Sequence, residues 1–375
     1  MIQKHIYIFL ILFTALALPQ FARANIKTLE IDSNNFNKVI EDKVREPFSY
    51  SGLASFYNGV TAYIINENGL EGLDDESFYA LTPSQSLAIV GHYKILIVSN
   101  INAEISFTDE KLILKEDGNK QKFQAQILLK SDLTQLPQPF QNLKYAHLWE
   151  PFRLLCIGIE KILLWLHSLH SLGWGVTIIL LSLLFRIFIL PANVLLTRTQ
   201  RNVSHIQARL APELETIKAN FSGEEAHNKF MAAHKAQGVT PFYNLKPLLL
   251  TMAPVPFLIA IFNVLGESDQ IARHSFIWIS DLAYPDAVFD FGVHIPLLGN
   301  SINLLPILMT LLTVFAALLH QNKIVSAKEL RKQKLNLYFM ALGFLLLFYP
   351  FPSAMVLYWT FANIWQLIQQ RFIRV

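Results

Sequence analysis

The sequence holds 375 residues, of which 53% are hydrophobic and only 16% charged, with a mean hydropathy of +0.35. That balance is wrong for a soluble assembly of two or three domains and points to an integral membrane protein. A formal net charge of +3 predicts no nucleic-acid partner, and the single cysteine, Cys156, excludes an internal disulfide and any cysteine-built metal cluster.

The first residues, MIQKH, lead into an apolar run over 6–18 and then Ala22-Arg23-Ala24. Lys4, the short apolar stretch and the A-x-A site predict a cleavable signal peptide over 1–24. An uncleaved signal anchor fits the same residues, and either would export the chain beyond residue 24. Over 25–148 the apolar runs give way to short stretches rich in valine, isoleucine, tyrosine and phenylalanine, at 60–65, 87–98 and 122–129. They are punctuated by Asn58-Gly59, Asn68-Gly69 and Asp117-Gly118. This pattern predicts a small β-rich external domain with a hairpin across Asp117-Gly118. It contains no acid pair in a glycine-rich setting, no histidine cluster and no nucleophile motif, so docking and passive spacing are both open as its role.

Over 149–170, Phe152, Leu155, Ile159, Ile162, Leu163 and Leu166 recur at helical spacing, interrupted by Arg153, Glu160, Lys161 and His167. The segment predicts an amphipathic helix lying at a membrane interface. His167 and His170 stand three apart, but no acidic or cysteine partner accompanies them, so they read as interfacial polar residues and no metal is expected.

The run over 174–196, WGVTIILLSLLFRIFILPANVLL, is about the length of a bilayer core and holds one charge, Arg186. An arginine at a helix centre costs roughly 2.5–3.5 kcal/mol on insertion scales, so it ordinarily has a partner or a function. Some fifty polar residues follow over 197–245, with Ser222-Gly223 between two helical patterns, predicting a helical hairpin in water. Further spans are predicted at about 247–266, 301–320, 335–350 and 353–370. Pro254 and Pro256 argue for a bent or broken second span, and Pro350 and Pro352 for a tight turn before the fifth. Basic residues gather in 197–245, in 321–334 and at Arg371 and Arg374, while 267–300 carries five acids against Arg273. The positive-inside rule therefore puts the hairpin and C-terminus in the cytoplasm, and the β-rich domain outside.

The expected fold is a mainly α membrane protein: a five-helix transmembrane core, a cytoplasmic hairpin and a small β-rich external domain. In that orientation Arg186 falls in the inner half of the bilayer. Snorkelling to the headgroups competes with a buried role, but Ile187-Phe188-Ile189-Leu190 beyond it is strongly apolar. Ser182 shares the helical face of Arg186, Thr251 lies early in the second span, and Ser353, Thr360, Asn363, Gln366 and Gln370 form a polar stripe on the fifth. Interhelical hydrogen bonding and a groove lining both fit Asn363 and Gln366. Together with Arg186 the stripe predicts a polar cavity in the inner leaflet.

The segment WGVTIILLSLLFRIFILP, the basic hairpin with Leu210-Ala211-Pro212 and HKAQGVTP, the loop FIWISDL and the ending FPSAMVLYWTFANIWQLIQQ resemble the YidC family of membrane protein insertases over about residues 151–375. The resemblance implies a non-enzymatic, cofactor-free insertase of the bacterial inner membrane, with a periplasmic N-terminal domain. Such a protein would move nascent membrane proteins into the bilayer, alone or beside the Sec translocon, with the ribosome a further candidate partner and membrane lipids around it. It also implies a groove open to cytoplasm and lipid, whose basic residue is Arg186 and whose lining includes Ser182, Thr251, Tyr358 and Trp359; Thr360 and Asn363 join from the polar stripe. Gram-negative members carry a larger β-sandwich in place of residues 25–148. A small-anion transporter built on Arg186 is the alternative, though no internal repeat is visible. An intramembrane protease would need a Ser–His or paired-Asp arrangement within spans, and the spans contain no aspartate.

Overall fold

The computed structural model describes residues 27–32, 35–67, 69–73, 78–115, 122–239, 242, 245–295, 298–319 and 327–372. The expected signal segment, the Asp117-Gly118 turn and 321–326 of the basic loop lie outside the described residues. The chain is mostly helical, with a β-rich region ahead of the helices.

The β-rich region holds β1 (Lys27–Asp32), β2 (Thr61–Asn66), β3 (Gly69–Gly72), β4 (Tyr79–Ala80), β5 (Ser86–Val90), β6 (Lys94–Ser99), β7 (Glu104–Thr108), β8 (Lys111–Lys115) and β9 (Lys122–Leu129). A six-stranded antiparallel sheet runs β1-β9-β6-β5-β2-β3, and a second sheet runs β4-β7-β8. Residues of β5 and β6 are buried on both sides, which is why SLAIV and KILIVS read as continuous apolar runs rather than alternating ones. Ile64, Ile89, Leu96 and Phe123 face the second sheet through Ile105, Phe107 and Leu112, and the helical turn α1 (Phe36–Val39) packs into the same core. The other face, with Ile65, Ile95 and Leu128, is covered by Leu133 and Leu143.

Helix α2 (Glu150–Ser168) buries Cys156, Ile159, Leu163 and Leu166 while Trp149 and Leu154 stay exposed. Its Glu160 is buried because Lys144 pairs with it at 2.6 Å. Helix α3 (Trp174–Asn220) is continuous through Pro191 and Pro212, so the expected first span and first hairpin arm are one helix. Thr197 marks a change of composition but not of backbone. The turn falls at Phe221-Ser222, and α4 (Gly223–Ala236) returns against Leu210 and Ile217.

The break expected from the prolines falls between α5 (Leu245–Met252) and α6 (Val255–Glu267). Next come β10 (Ala287–Ile295) and β11 (Gly299–Asn303), an irregular antiparallel hairpin where a plain loop was expected. Its register shifts at two points, which breaks the alternation that would have announced strands. Helices α7 (Leu304–Leu319), α8 (Ala327–Phe348) and α9 (Ser353–Phe372) complete the chain. Trp174–Gln207 and Leu248–Glu267 are long and apolar enough to cross a membrane; Leu304–Phe315 and Lys334–Phe348 are shorter apolar stretches.

Candidate functional site

The face of α3 that carries Ser182, Arg186, Ile189 and Asn193 is spaced four, three and four residues apart, one stripe of a helix. It meets Tyr358, Trp359, Ala362, Asn363 and Gln366 of α9, with Pro254 and Leu258 beside the α5–α6 break. These residues line an open hollow of about 170 Å³. Pro254, which has no N–H to continue the backbone ladder across the break, is itself one of the lining residues.

Within the hollow Arg186 is half-buried, and its Nε is buried with no hydrogen-bond partner among the described residues. No carboxylate forms an ion pair with it among those residues. The Nε–H is thus a donor of the guanidinium that the described residues leave unused. The neighbouring polar groups are more committed. The Ser182 hydroxyl donates to Ile179 O at 2.7 Å and accepts from Trp365 Nε1 at 3.1 Å, fastening α3 to α9. Asn363 Nδ2 donates to Thr313 Oγ1 at 2.9 Å, so this residue both lines the hollow and ties α9 to α7. Trp359 packs at tilted angles against Phe262, Phe344 and Phe348.

Of the residues expected from sequence, Arg186, Ser182, Tyr358, Trp359 and Asn363 come together here. Thr360 does not line the hollow: two residues on from Tyr358 it lies about 200° round the helix, buried, with its hydroxyl donating to Val356 O at 2.7 Å. Thr251 is exposed on α5, before the proline break, and the hollow is lined from the far side of that break by Pro254 and Leu258. Asn193 was not anticipated, though its position seven residues after Arg186 on an otherwise apolar helix was a legible signal.

Where α6 ends, the β-rich region docks. Lys130 Nζ meets Glu267 at 2.7 Å, Ser131 donates to Asp269 through both its backbone N–H and its hydroxyl, and Tyr50 donates to Ala283 O at 2.7 Å. His92 Nε2–H donates to Gly266 O at 2.7 Å while its ring stacks on Tyr57 and Tyr93. Burial and the Lys130 ammonium hold the His92 imidazole down at about 4. The sequence showed no chemistry in this region because its polar residues are spent on docking. The His167–His170 pair shares the Thr177 hydroxyl, and His167 stacks on Trp174.

A sequence model of the family described as 60Kd inner membrane protein matches residues 165–375, more than half of the chain. The chain belongs to the YidC family. A membrane protein insertase YidC of Chlamydia caviae is 33% identical over 239 residues, 61% of this chain and 28% of that protein. One from Chlorobium luteolum is 32% identical over 209 residues, 56% of this chain and 34% of that protein. The chain thus spans about a third of the length of the YidC relatives it matches, or less. A solved structure titled as an active YidC insertase with its first transmembrane domain resolved is 15% identical over 83% of each chain, with a TM-score of 0.39.

Proposed function

We propose that this protein is a membrane protein insertase working through the hollow around Arg186. The observation that carries the reading is Arg186, whose Nε has no partner among the described residues and which lines a largely apolar cavity that also takes in Ser182, Asn193, Asn363 and Gln366. The names of the YidC relatives support it.

In this reading α3, α5 with α6, α7, α8 and α9 are five membrane spans. The α3–α4 hairpin and the C-terminus face the cytoplasm, and the β-rich domain and the β10–β11 hairpin face the periplasm, as the distribution of basic residues directs. Arg186 is twelve residues from Trp174, hence about 18 Å from the outer end of its helix and in the inner half of the bilayer. Carrying a polar segment across about 30 Å of hydrocarbon is prohibitive, whereas each leucine or isoleucine of a client span returns only about 0.3–0.6 kcal/mol. A wet notch reaching Arg186 shortens the apolar distance and gives an acidic segment a counter-charge. The client's apolar segment then passes into lipid between the helices, and its burial supplies the driving force without a nucleotide. Nascent membrane proteins are the substrates, received with or without the Sec translocon.

Reconstitution tests this reading. Liposomes holding the purified protein should insert a short single-span client with an acidic outer segment and should show no accelerated chloride or phosphate flux. Anion flux without insertion would replace the insertase by a transporter.

A further inference from the structure

The loop after α6 makes a two-residue turn whose flanks and tip differ in character. Phe276 and Ile279 exchange both backbone hydrogen bonds, at 2.9 and 2.8 Å. Ile279 is buried and the Phe276 ring fills the space a side chain at Gly175 would need, next to the first residue of α3. The tip is the reverse: Ile277 is 79% exposed and Trp278 44%. Ile277 also has a φ of 54°, at the turn position where glycine ordinarily sits. A β-branched residue there is strained by roughly 1–2 kcal/mol, and its exposed side chain gains little burial among the described residues in return.

Trp278 is held differently from a loosely exposed aromatic. Its Nε1 donates to the Asp286 carboxylate at 3.1 Å, and the same oxygen accepts from Leu305 N at 2.6 Å at the start of α7. The indole's polar edge is therefore satisfied and fixed, while its apolar body is presented outward. Beside the turn, Arg273 is exposed and forms no ion pair among the described residues. Trp174, where the apolar helix begins, lies 6.1 Å from the His274 ring.

From this geometry we propose that the Ile277–Trp278 turn is a lipid anchor, seated at the boundary between headgroups and acyl chains of the outer leaflet, with Arg273 meeting a lipid phosphate. It rests on the reading that α3 spans the bilayer. Its level comes from packing: Phe276 against Gly175 fixes the tip at the first residues of α3, where the hydrocarbon would end. An indole there joins the aromatic belt of membrane proteins, and an aliphatic tip gains the apolar burial that water denies it. The anchor would fix the height of the loop that caps α7, and with it the outer end of the helices around Arg186.

The test uses the full chain in vesicles of phosphatidylethanolamine and phosphatidylglycerol. In a Cys156→Ala background, Ile277→Cys carries an environment-sensitive fluorophore, and its emission is challenged with lipids spin-labelled near the headgroup, lipids spin-labelled at the chain end, and aqueous iodide. If Ile277→Cys does not accumulate, Ser280→Cys, exposed beside the turn, carries the probe. The anchor predicts blue-shifted emission, quenched more by the headgroup-proximal label than by the chain-end label and little by iodide. Emission quenched by iodide alone, as expected for Ile113→Cys on β8, overturns it, and so does protection from all three, which would indicate a protein partner. Ile187→Cys, exposed midway along the 174–196 span, should be quenched by the chain-end label. Its failure would take down the spanning reading and the anchor together, whereas failure at the turn alone leaves the spanning reading standing.

Discussion

Lys130 and Glu267 form a 2.7 Å ion pair in which each side chain is only 7% exposed, joining the end of β9 to the last residue of α6. A pair so deeply buried roughly breaks even while intact, but an orphaned partner is costly. Lys130→Met leaves Glu267 with the His147 ring at 3.3 Å as its remaining ion-pair partner and should destabilise the docking of the β-rich domain by about 3 kcal/mol, the lower end of the cost of breaking a buried pair. Limited proteolysis in detergent would show it as faster cleavage between domain and helices. Lys130→Met combined with Glu267→Gln should recover part of the loss; a double variant as labile as the single one would contradict the account.

Gly266 sits against the Tyr57 hydroxyl, which occupies the place where a side chain would begin. Gly266→Ala should loosen the same junction by around 1–3 kcal/mol, the usual cost of overpacking. Adding Tyr57→Phe should restore part of it, as read by the thermal unfolding midpoint.

The His92 ring donates to Gly266 O through Nε2, and its Nδ1 has no partner among the described residues, so a second proton would have no acceptor. Its folded pKa of about 4 lies below the ordinary 6.5, so as pH falls the unfolded state takes up the proton first. The stabilising contribution is complete above pH 6.5 and is lost as pH falls toward 4. His92→Gln, which keeps a donor but does not titrate, should flatten the fall in junction stability across that window. An unchanged pH profile would show that His92 does not set it.

Trp365 Nε1 bonded to Ser182 Oγ is a polar clasp between α3 and α9 next to the hollow. Trp365→Phe should cost around 1 kcal/mol, the scale of a single net hydrogen bond. The thermal midpoint in detergent should fall modestly while the protein still accumulates.

Much of this architecture could be read from residue order, and the parts that could not share a cause. Arg186 in a run of isoleucine and leucine, and the Pro254–Pro256 pair, each carry a local signal: a charge where charge is expensive, a missing amide where a ladder needs one. The stripe on α9 announced Asn363 and Gln366 by helical period. Thr251 and Thr360 show the limit, because period places a residue on a face but does not say which neighbour that face meets. The docking of His92, Lys130 and Tyr50 was invisible for the same reason: contacts 137 to 233 residues apart in sequence leave no spacing to read. The β10–β11 hairpin was hidden by its shifted register.

Whether Arg186 serves clients from within the hollow between α3 and α9 is tested directly by one comparison. In a strain depleted of its own insertase, Arg186→Ala should accumulate in the membrane at the level of the unaltered protein. It should fail to insert clients with negatively charged outer segments, while Arg186→Lys, which keeps the charge, retains much of the activity. Normal insertion of those clients by Arg186→Ala would contradict the account.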